Sequence, residues 1–396
     1  MRAHEGKPGG TVTGGAIIGR QVEIADIWRK LETRSVVLSA ERRVGKTSIL
    51  RKISEQPRDG WKAFLVLVES ARHPIDCVEA IFSEAERLEV PSRKAVWLSR
   101  IKAAYNKVAQ VEAGGWRLPQ LSSGWKSLLR LLVDDIAEHS PAPVLIMIDE
   151  FPLMVANIAD DHGALAMEFL DTLREIRQKY EGTGNIRFLF SGSIGLHLIL
   201  QHLKAAHGYE GSPTNDMALK VLGGMSREDT ERMCQSYLDE EGIERQNPEA
   251  FADQMFKSTD GLPLYIQYVC DQFQAQAART VEPAQIVAIV RQMLDSRELE
   301  WFRNAAQRID TYYARLKASE RAFGILAFLS RQPEYVSEQV VIDYLASQMT
   351  VDRKAVTDAL DLLLDDNYLV RDTSGGERTY RFRYVLMRDW WRINRA

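Results

Sequence analysis

The chain has 396 residues, 45% of them hydrophobic, enough to bury sizeable cores and too many for a single one. Its 51 Lys+Arg stand against 55 Asp+Glu, and a formal net charge of -4 supplies no global field that would draw it to nucleic acid or an anionic membrane. Cys77, Cys234 and Cys270 are odd in number and widely spaced, the N-terminus lacks an apolar h-region and no apolar run reaches membrane length, which excludes a disulfide framework and makes the cytoplasm the expected location.

Residues 1–16 hold Gly6, Gly9, Gly10, Gly14 and Gly15 with few large apolar groups, and read as a flexible leader. From Ile17 the pattern is globular. Apolar runs at Ser35–Ser39, Ala63–Val68, Val144–Ile148 and Ile186–Phe190, each bounded by turn or charged residues, predict buried strands with helices between them. That alternation predicts an α/β domain over residues 17–222, a parallel sheet with flanking helices whose ligands lie beyond the carboxyl ends of the strands. Within it, residues 91–122, with Trp97, Tyr105 and Trp116 among basic residues, are expected to form an inserted helical hairpin, with a nucleic-acid patch as the alternative, and His207–Asp216 a loop. Residues 223–317 read as a wholly helical lid and connector, with helices at Ser226–Glu241, Pro248–Lys257, Pro263–Ala277 and Pro283–Tyr313. Over residues 318–396 three short helices lead into Tyr368–Arg371, a turn at Ser374, Gly375 and Gly376, and Arg378–Arg383, a pattern that predicts a winged helix.

Gly45, Lys46 and Thr47 follow the first predicted strand and open a helical stretch, the context a phosphate-binding Walker A loop requires. Backbone from Ala40 through Glu41, Arg42, Arg43 and Val44 to Ser48 would surround the phosphates. Lys46 would set a positive charge on the β and γ phosphates, and the Thr47 hydroxyl would ligate Mg²⁺. Ala40 stands where glycine is usual, which costs about 1 kcal/mol only if φ there is positive. The strand Val144–Ile148 runs into the adjacent carboxylates Asp149 and Glu150, a Walker B pattern. Asp149 is expected to hold the Mg²⁺ shell and Glu150 to orient and polarise the attacking water. The strand Ile186–Phe190 ends in Ser191, Gly192 and Ser193; a hydroxyl of Ser193 or Ser191 would sense the γ-phosphate or the water, with a plain turn as the alternative. Arg42 and Arg43 read as exposed loop arginines, with action on a neighbouring subunit's nucleotide as the alternative. The seven histidines show no ligand spacing, and no zinc site is expected.

Ile18-Gly19-Arg20 with Glu23, Arg42-Arg43-Val44-Gly45-Lys46-Thr47, the Asp149-Glu150 strand, Gly192-Ser193 and Gly261-Leu262-Pro263 occur in that order. Over about residues 17–396 the chain resembles the archaeal-type ATPases of the signal-transduction (STAND) branch of AAA+-related P-loop proteins, bacterial members included. The resemblance implies that Gly19 and Arg20 lie near the adenine and that Gly261 and Pro263 of the lid touch nucleotide. Without it, Gly19 and Arg20 make an ordinary turn, and Pro263 simply begins a helix.

Two functions follow from these residues. One is a slow Mg²⁺-dependent ATPase used as a nucleotide-controlled conformational switch toward a protein partner or a second copy. The other is a DNA-binding initiator or transposition-type AAA+ ATPase that contacts duplex through its winged helix. The expected recognition helix, Asp352–Asp366, begins with Arg353 and Lys354 but then carries Asp358, Asp361, Asp365 and Asp366, which repel phosphate. Seven arginines lie between Arg371 and Ala396, so non-specific contact from the wing is compatible with the sequence. The switch is the favoured reading.

Overall fold

The computed structural model describes residues 17–41, 43–87, 122–296 and 300–395. The expected leader, Arg42 and all but the last residue of the expected hairpin at residues 91–122 lie outside the described residues. Five strands, β1 Val36–Ser39, β2 Lys62–Leu67, β3 Val144–Asp149, β4 Ile186–Ser191 and β5 Ala218–Val221, form one sheet in the order β2-β3-β4-β1-β5. Every pairing in it is parallel. β3 and β4 are buried at every residue, which is why their sequences are apolar without alternation. β5 was not anticipated. It is a four-residue edge strand with Leu219 61% and Val221 39% exposed, too short and too open to show a burial pattern in sequence.

A buried cation lies inside this sheet. Arg187 of β4 is 4% exposed, and its guanidinium donates to the carbonyls of Leu31 at 3.0 Å and Tyr180 at 3.1 Å, so the cation is met by helix-end carbonyls in place of water. β3 runs directly into the helix Phe151–Glu181, which is kinked at His162 (φ -151, ψ 85). Its first residue stacks on β4, with the rings of Phe151 and Phe190 4.0 Å apart. That contact fixes the Asp149–Glu150 junction against the neighbouring strand end.

Beyond β5 come the helices Arg227–Glu240, Pro248–Thr259, Pro263–Ala275 and Pro283–Asp295. Ser226 caps the first through the Asp229 N–H at 3.1 Å, and proline opens each of the other three, where its missing donor costs nothing. Two expectations are corrected here. The segment is not wholly helical, because β6 Glu244–Arg245 pairs in parallel with β7 Thr280–Val281, two residues each and below the reach of pattern reading. Nor does one helix run from Pro283 to Tyr313: it stops at Asp295 with Ser296 extended (ψ 129), resumes as Glu300–Arg308, and ends in a π-helical turn, Ile309–Tyr313.

The C-terminal residues form helices Ser319–Ser330, Glu338–Gln348 and Arg353–Asp365 and an antiparallel sheet of three strands, not two, in the order β8-β10-β9: β8 Val336–Ser337, β9 Leu369–Asp372 and β10 Thr379–Phe382. A further helix, Val385–Asn394, was not foreseen. It buries Trp390 against Phe302, rings 5.5 Å apart, and Trp391 against Phe323 at 5.8 Å, while its Leu386 N–H donates to the Asp260 carboxylate at 2.8 Å. Among the described residues no helix is long and apolar enough to cross a membrane.

Candidate functional site

The carboxyl ends of β1, β3 and β4 meet at one place. The loop after β1 turns through Arg43 (φ 65) and Gly45 (φ 96) into the helix Lys46–Glu55, whose N-terminus carries no side-chain cap. The amide donors of that first turn are thus left for a ligand. A Cβ at Gly45 would meet nothing within 4 Å, so the glycine answers the backbone angle and not crowding. Ala40 is not among the residues of positive φ, which removes the penalty that its missing glycine would have carried. Lys46 is 7% exposed, and its ammonium donates to the carbonyls of Ala40 at 2.8 Å and Glu41 at 2.9 Å. Burial pushes its pKa down to about 8, against the pull of Glu41.

The Thr47 hydroxyl donates to Asp149 Oδ2 at 2.7 Å, joining β1's loop to the end of β3. These two are hard oxygen donors side by side. They fit Mg²⁺, which takes one or two protein ligands and fills the rest of its octahedron with phosphate and water. Glu150 is held at φ 58 as the residue before the helix Phe151–Glu181. Its Oε2 accepts from both the N–H of Ser193 at 3.0 Å and its hydroxyl at 2.8 Å. Ser191, the other serine of this turn, is 2% exposed, and its hydroxyl has no hydrogen-bond partner among the described residues.

A second part of the site is apolar. A cavity of about 70 Å³ lies between Ile17, Ile18, Val44, Ile49, Met225, Met233, Tyr237 and Pro263, with Arg20, Gly45 and Ser48 also on its wall. Arg20 lines it but spends its guanidinium elsewhere, donating to the carbonyls of Val44 and Gly223, each at 2.9 Å, and of Gly224 at 3.2 Å, and pairing with Glu23 at 2.7 Å. It staples the loop after β1 to the start of the helical segment. Gly19 and Gly261 are not on the wall. Both have positive φ (72 and 64), and an added Cβ would sit 2.5 Å from the Asp229 carboxyl carbon or 2.4 Å from the Met225 carbonyl oxygen, so each is explained by packing. Arg43 is exposed.

No protein-family model matches the sequence, and no curated protein sequence matches it. Among solved structures, the chain is similar to a Walker-type ATPase of Pyrococcus abyssi (TM-score 0.59, 16% identity, 96% of this chain and 98% of that one). It also matches the RuvB Holliday junction branch migration motor of Thermotoga maritima (TM-score 0.39, 12% identity, covering 91% and 92%) and a STAND protein with a tetratricopeptide repeat sensor from Pyrococcus horikoshii (TM-score 0.32, 13% identity, covering 95% and 42%). The last two are too distant in geometry to carry an argument. The first bears on the fold, and the five-stranded parallel sheet with its loop after β1 agrees with it. The core has a P-loop NTPase fold.

Packed against this P-loop NTPase core is Arg308, which sequence reasoning missed. Its side chain is 8% exposed and pairs with Glu41, 7% exposed, across 267 residues of chain. The same guanidinium reaches the Ser193 carbonyl at 2.5 Å and the Tyr368 hydroxyl at 3.2 Å. Nothing in the sequence distinguishes Arg308 from an exposed helical arginine. Asp366, expected beside a nucleic-acid backbone, is instead buried, its Oδ2 accepting from the Tyr313 hydroxyl at 3.0 Å.

Proposed function

We propose that this chain binds ATP with Mg²⁺ and hydrolyses it slowly, acting as a nucleotide-controlled conformational switch. The observation that carries the reading is the Thr47–Asp149 hydrogen bond beside a buried lysine, because it sets a hydroxyl, a carboxylate and a cation at one helix N-terminus. In this reading the loop from Ala40 to Ser48 cradles the phosphates, Lys46 stands against the β and γ phosphates, and Thr47 with Asp149 holds Mg²⁺, which would neutralise phosphate charge. Glu150 polarises the attacking water, and Ser193, with Ser191 beside it, reports on the γ-phosphate. The apolar cavity takes the base, with Arg20 and Pro263 on its wall and Gly19 and Gly261 shaping its approaches.

The units would be residues 17–222 as ATPase domain, 223–317 as lid and connector, and 318–396 as a winged helix whose wing is β9 and β10, with 1–16 as leader. The switch would act on a protein partner or on a second copy, in the cytoplasm. Arg20 supports the coupling, since one guanidinium bonds both Val44 of the loop and Gly223 at the head of the lid.

The DNA-reading alternative draws less support. Arg378 faces Glu338 at 3.5 Å, Arg371 faces Asp361 at 3.9 Å, and Arg388 and Arg392 share Asp389, so much of the basic C-terminal run is matched by its own acids. The reading is tested by calorimetric titration of the full chain with ATP and with ADP, with and without Mg²⁺, alongside phosphate release. One-to-one binding that Mg²⁺ strengthens for ATP, with slow release of phosphate, is expected. Absence of binding at millimolar nucleotide would sink it.

A further inference from the structure

The contacts of Arg308 join three parts of the molecule that the proposed reaction needs in register. From the end of the helix Glu300–Arg308 its Nη1 donates to the Ser193 carbonyl at 2.5 Å, and its Nη2 bonds both the Glu41 carboxylate and, at 3.2 Å, the Tyr368 hydroxyl. Tyr368 gives its own proton to the Ala305 carbonyl at 2.7 Å and lays its ring against the guanidinium, 5.5 Å from centroid to carbon. Burial works against the charge on Arg308, and Glu41 leads the groups that outweigh it, so the pKa is raised. Close by, the Asn367 amide donates to the Ser39 hydroxyl at 3.1 Å, a second tie from the C-terminal residues to the end of β1.

Resting on the ATPase reading above, we infer that Arg308 is a positioning residue for the hydrolytic centre: it restrains Glu150 through Ser193 and makes that restraint depend on how the C-terminal residues are seated. Ser193 is the hinge of the argument. Its N–H and hydroxyl both donate to Glu150 Oε2, while its carbonyl accepts from Arg308, so one residue stands between the carboxylate and the guanidinium. With two donors on Oε2, a water that Glu150 is to polarise must displace Ser193 or use the other oxygen. The second arm of Arg308 holds Glu41, whose carbonyl accepts the Lys46 ammonium at 2.9 Å. A buried ion pair contributes little net stability, because desolvation offsets its attraction. Its place here is better explained by the register it keeps between loop, sensor turn and C-terminal residues.

The test uses the full chain with Arg308→Lys, which keeps the charge opposite Glu41 but lacks the fork that reaches three acceptors at once, and Tyr368→Phe, which leaves the ion pair whole. For Arg308→Lys, kcat is expected to rise about fivefold to tenfold, the size of one hydrogen bond removed from the restrained state, with KM for ATP within about twofold. Tyr368→Phe should move kcat in the same direction by less, and it decides the matter if the lysine variant does not fold. Hydrogen exchange without nucleotide should quicken at residues 191–195 and 39–41 together with 364–370. A folded variant whose kcat is unchanged or lower overturns the inference, and so does faster exchange confined to the C-terminal residues. If the parental protein releases no phosphate, the ATPase reading fails, and the exchange pattern alone then shows whether Arg308 links Ser193 to the C-terminal residues.

Discussion

The contacts at the end of β3 and those around Arg308 both tie distant chain segments to the loop after β1 and the helix it opens, and they are built differently. Thr47 to Asp149 is a hydroxyl–carboxylate bond in a part-buried setting, which water, a metal ion or a phosphate oxygen can replace at little cost. Arg308 to Glu41 is a buried ion pair, and removing one member leaves the other charge stranded at a cost of about 3–5 kcal/mol. In the proposed reading, exchangeable bonds therefore gather where ligands would come and go. The bond that cannot be traded lies where the C-terminal residues meet the core, suited to transmitting a rearrangement as a whole and not by degrees.

The largest test of that contrast falls on Lys46, which belongs to the exchangeable side by position but is buried like the other. Lys46→Ala should lower ATP affinity by on the order of a hundredfold or more, the cost of removing one partner of a desolvated charge pair, read by calorimetry. Its pKa of about 8 adds a sign that can be checked. The ammonium attracts phosphate only when protonated, so affinity should be full below about pH 8 and fall as pH rises past it. Lys46→Arg, which cannot deprotonate in this range, should flatten whatever pH dependence remains. A pH profile equally steep in both proteins would remove Lys46 from the phosphates.

Glu150→Gln comes next: phosphate release should drop about a hundredfold, within the range general-base catalysis supplies, while Mg²⁺-ATP still binds. Asp149→Ala should instead erase the part of the affinity that depends on Mg²⁺. If both variants lost binding alike, the division of labour between the two carboxylates would be wrong.

Gly261, in the helical segment beyond β5, gives a smaller effect of another kind. Gly261 stands at φ 64 with the space for a Cβ already taken by the Met225 carbonyl, 2.4 Å away. Gly261→Ala should cost about 1–3 kcal/mol of stability, seen as a lower Tm, with ATP affinity changing less than Lys46→Ala changes it. The reverse order of effects would move Gly261 from a packing role to nucleotide contact.

What the chain disclosed in advance follows from the same contrast. The parallel sheet was legible because β3, buried on both faces, is written as an unbroken apolar run and β4 as one interrupted only by Arg187, and because Asp149 and Glu150 break the β3 pattern at its carboxyl end. Spacing along a strand or loop is local, and local order survives in sequence. β5 was not legible, since an edge strand of four residues with one open face has the composition of a loop. Arg308 was not legible either. Its meaning comes from Glu41, Ser193 and Tyr368, none of them near it in the chain, and an arginine on an amphipathic helix reads as solvated by default. The four aspartates of the helix Arg353–Asp365 and its end look alike in sequence, as one repulsive face, whereas Asp366 is buried against Tyr313 and belongs to the interface instead.

The smallest expected effect concerns DNA and bears on whether the C-terminal residues have any role beyond that interface. Duplex affinity at physiological salt depends on cations set against phosphates, and sequence reading needs donors on an inserted helix. Here Asp358, Asp361 and Asp365 remain exposed on the helix Arg353–Asp365, and Arg371 and Arg378 face their own acids. Arg381 is differently placed, stacked over the Tyr335 ring at 4.9 Å, and Tyr335 is 41% exposed. A cation on an exposed aromatic is a plausible backbone contact, but a single one is worth little. We expect the full chain to bind unrelated duplexes weakly and about equally by fluorescence anisotropy, and Arg381→Ala to weaken them all by less than about threefold while reducing the salt slope by roughly one ion. One duplex bound about a thousandfold more tightly than the rest would make the C-terminal residues a reader of sequence. The acids around Arg371 and Arg378 would then have to be displaced on binding, and the contrast between an exchangeable site and a fixed interface would no longer divide the molecule where it does now.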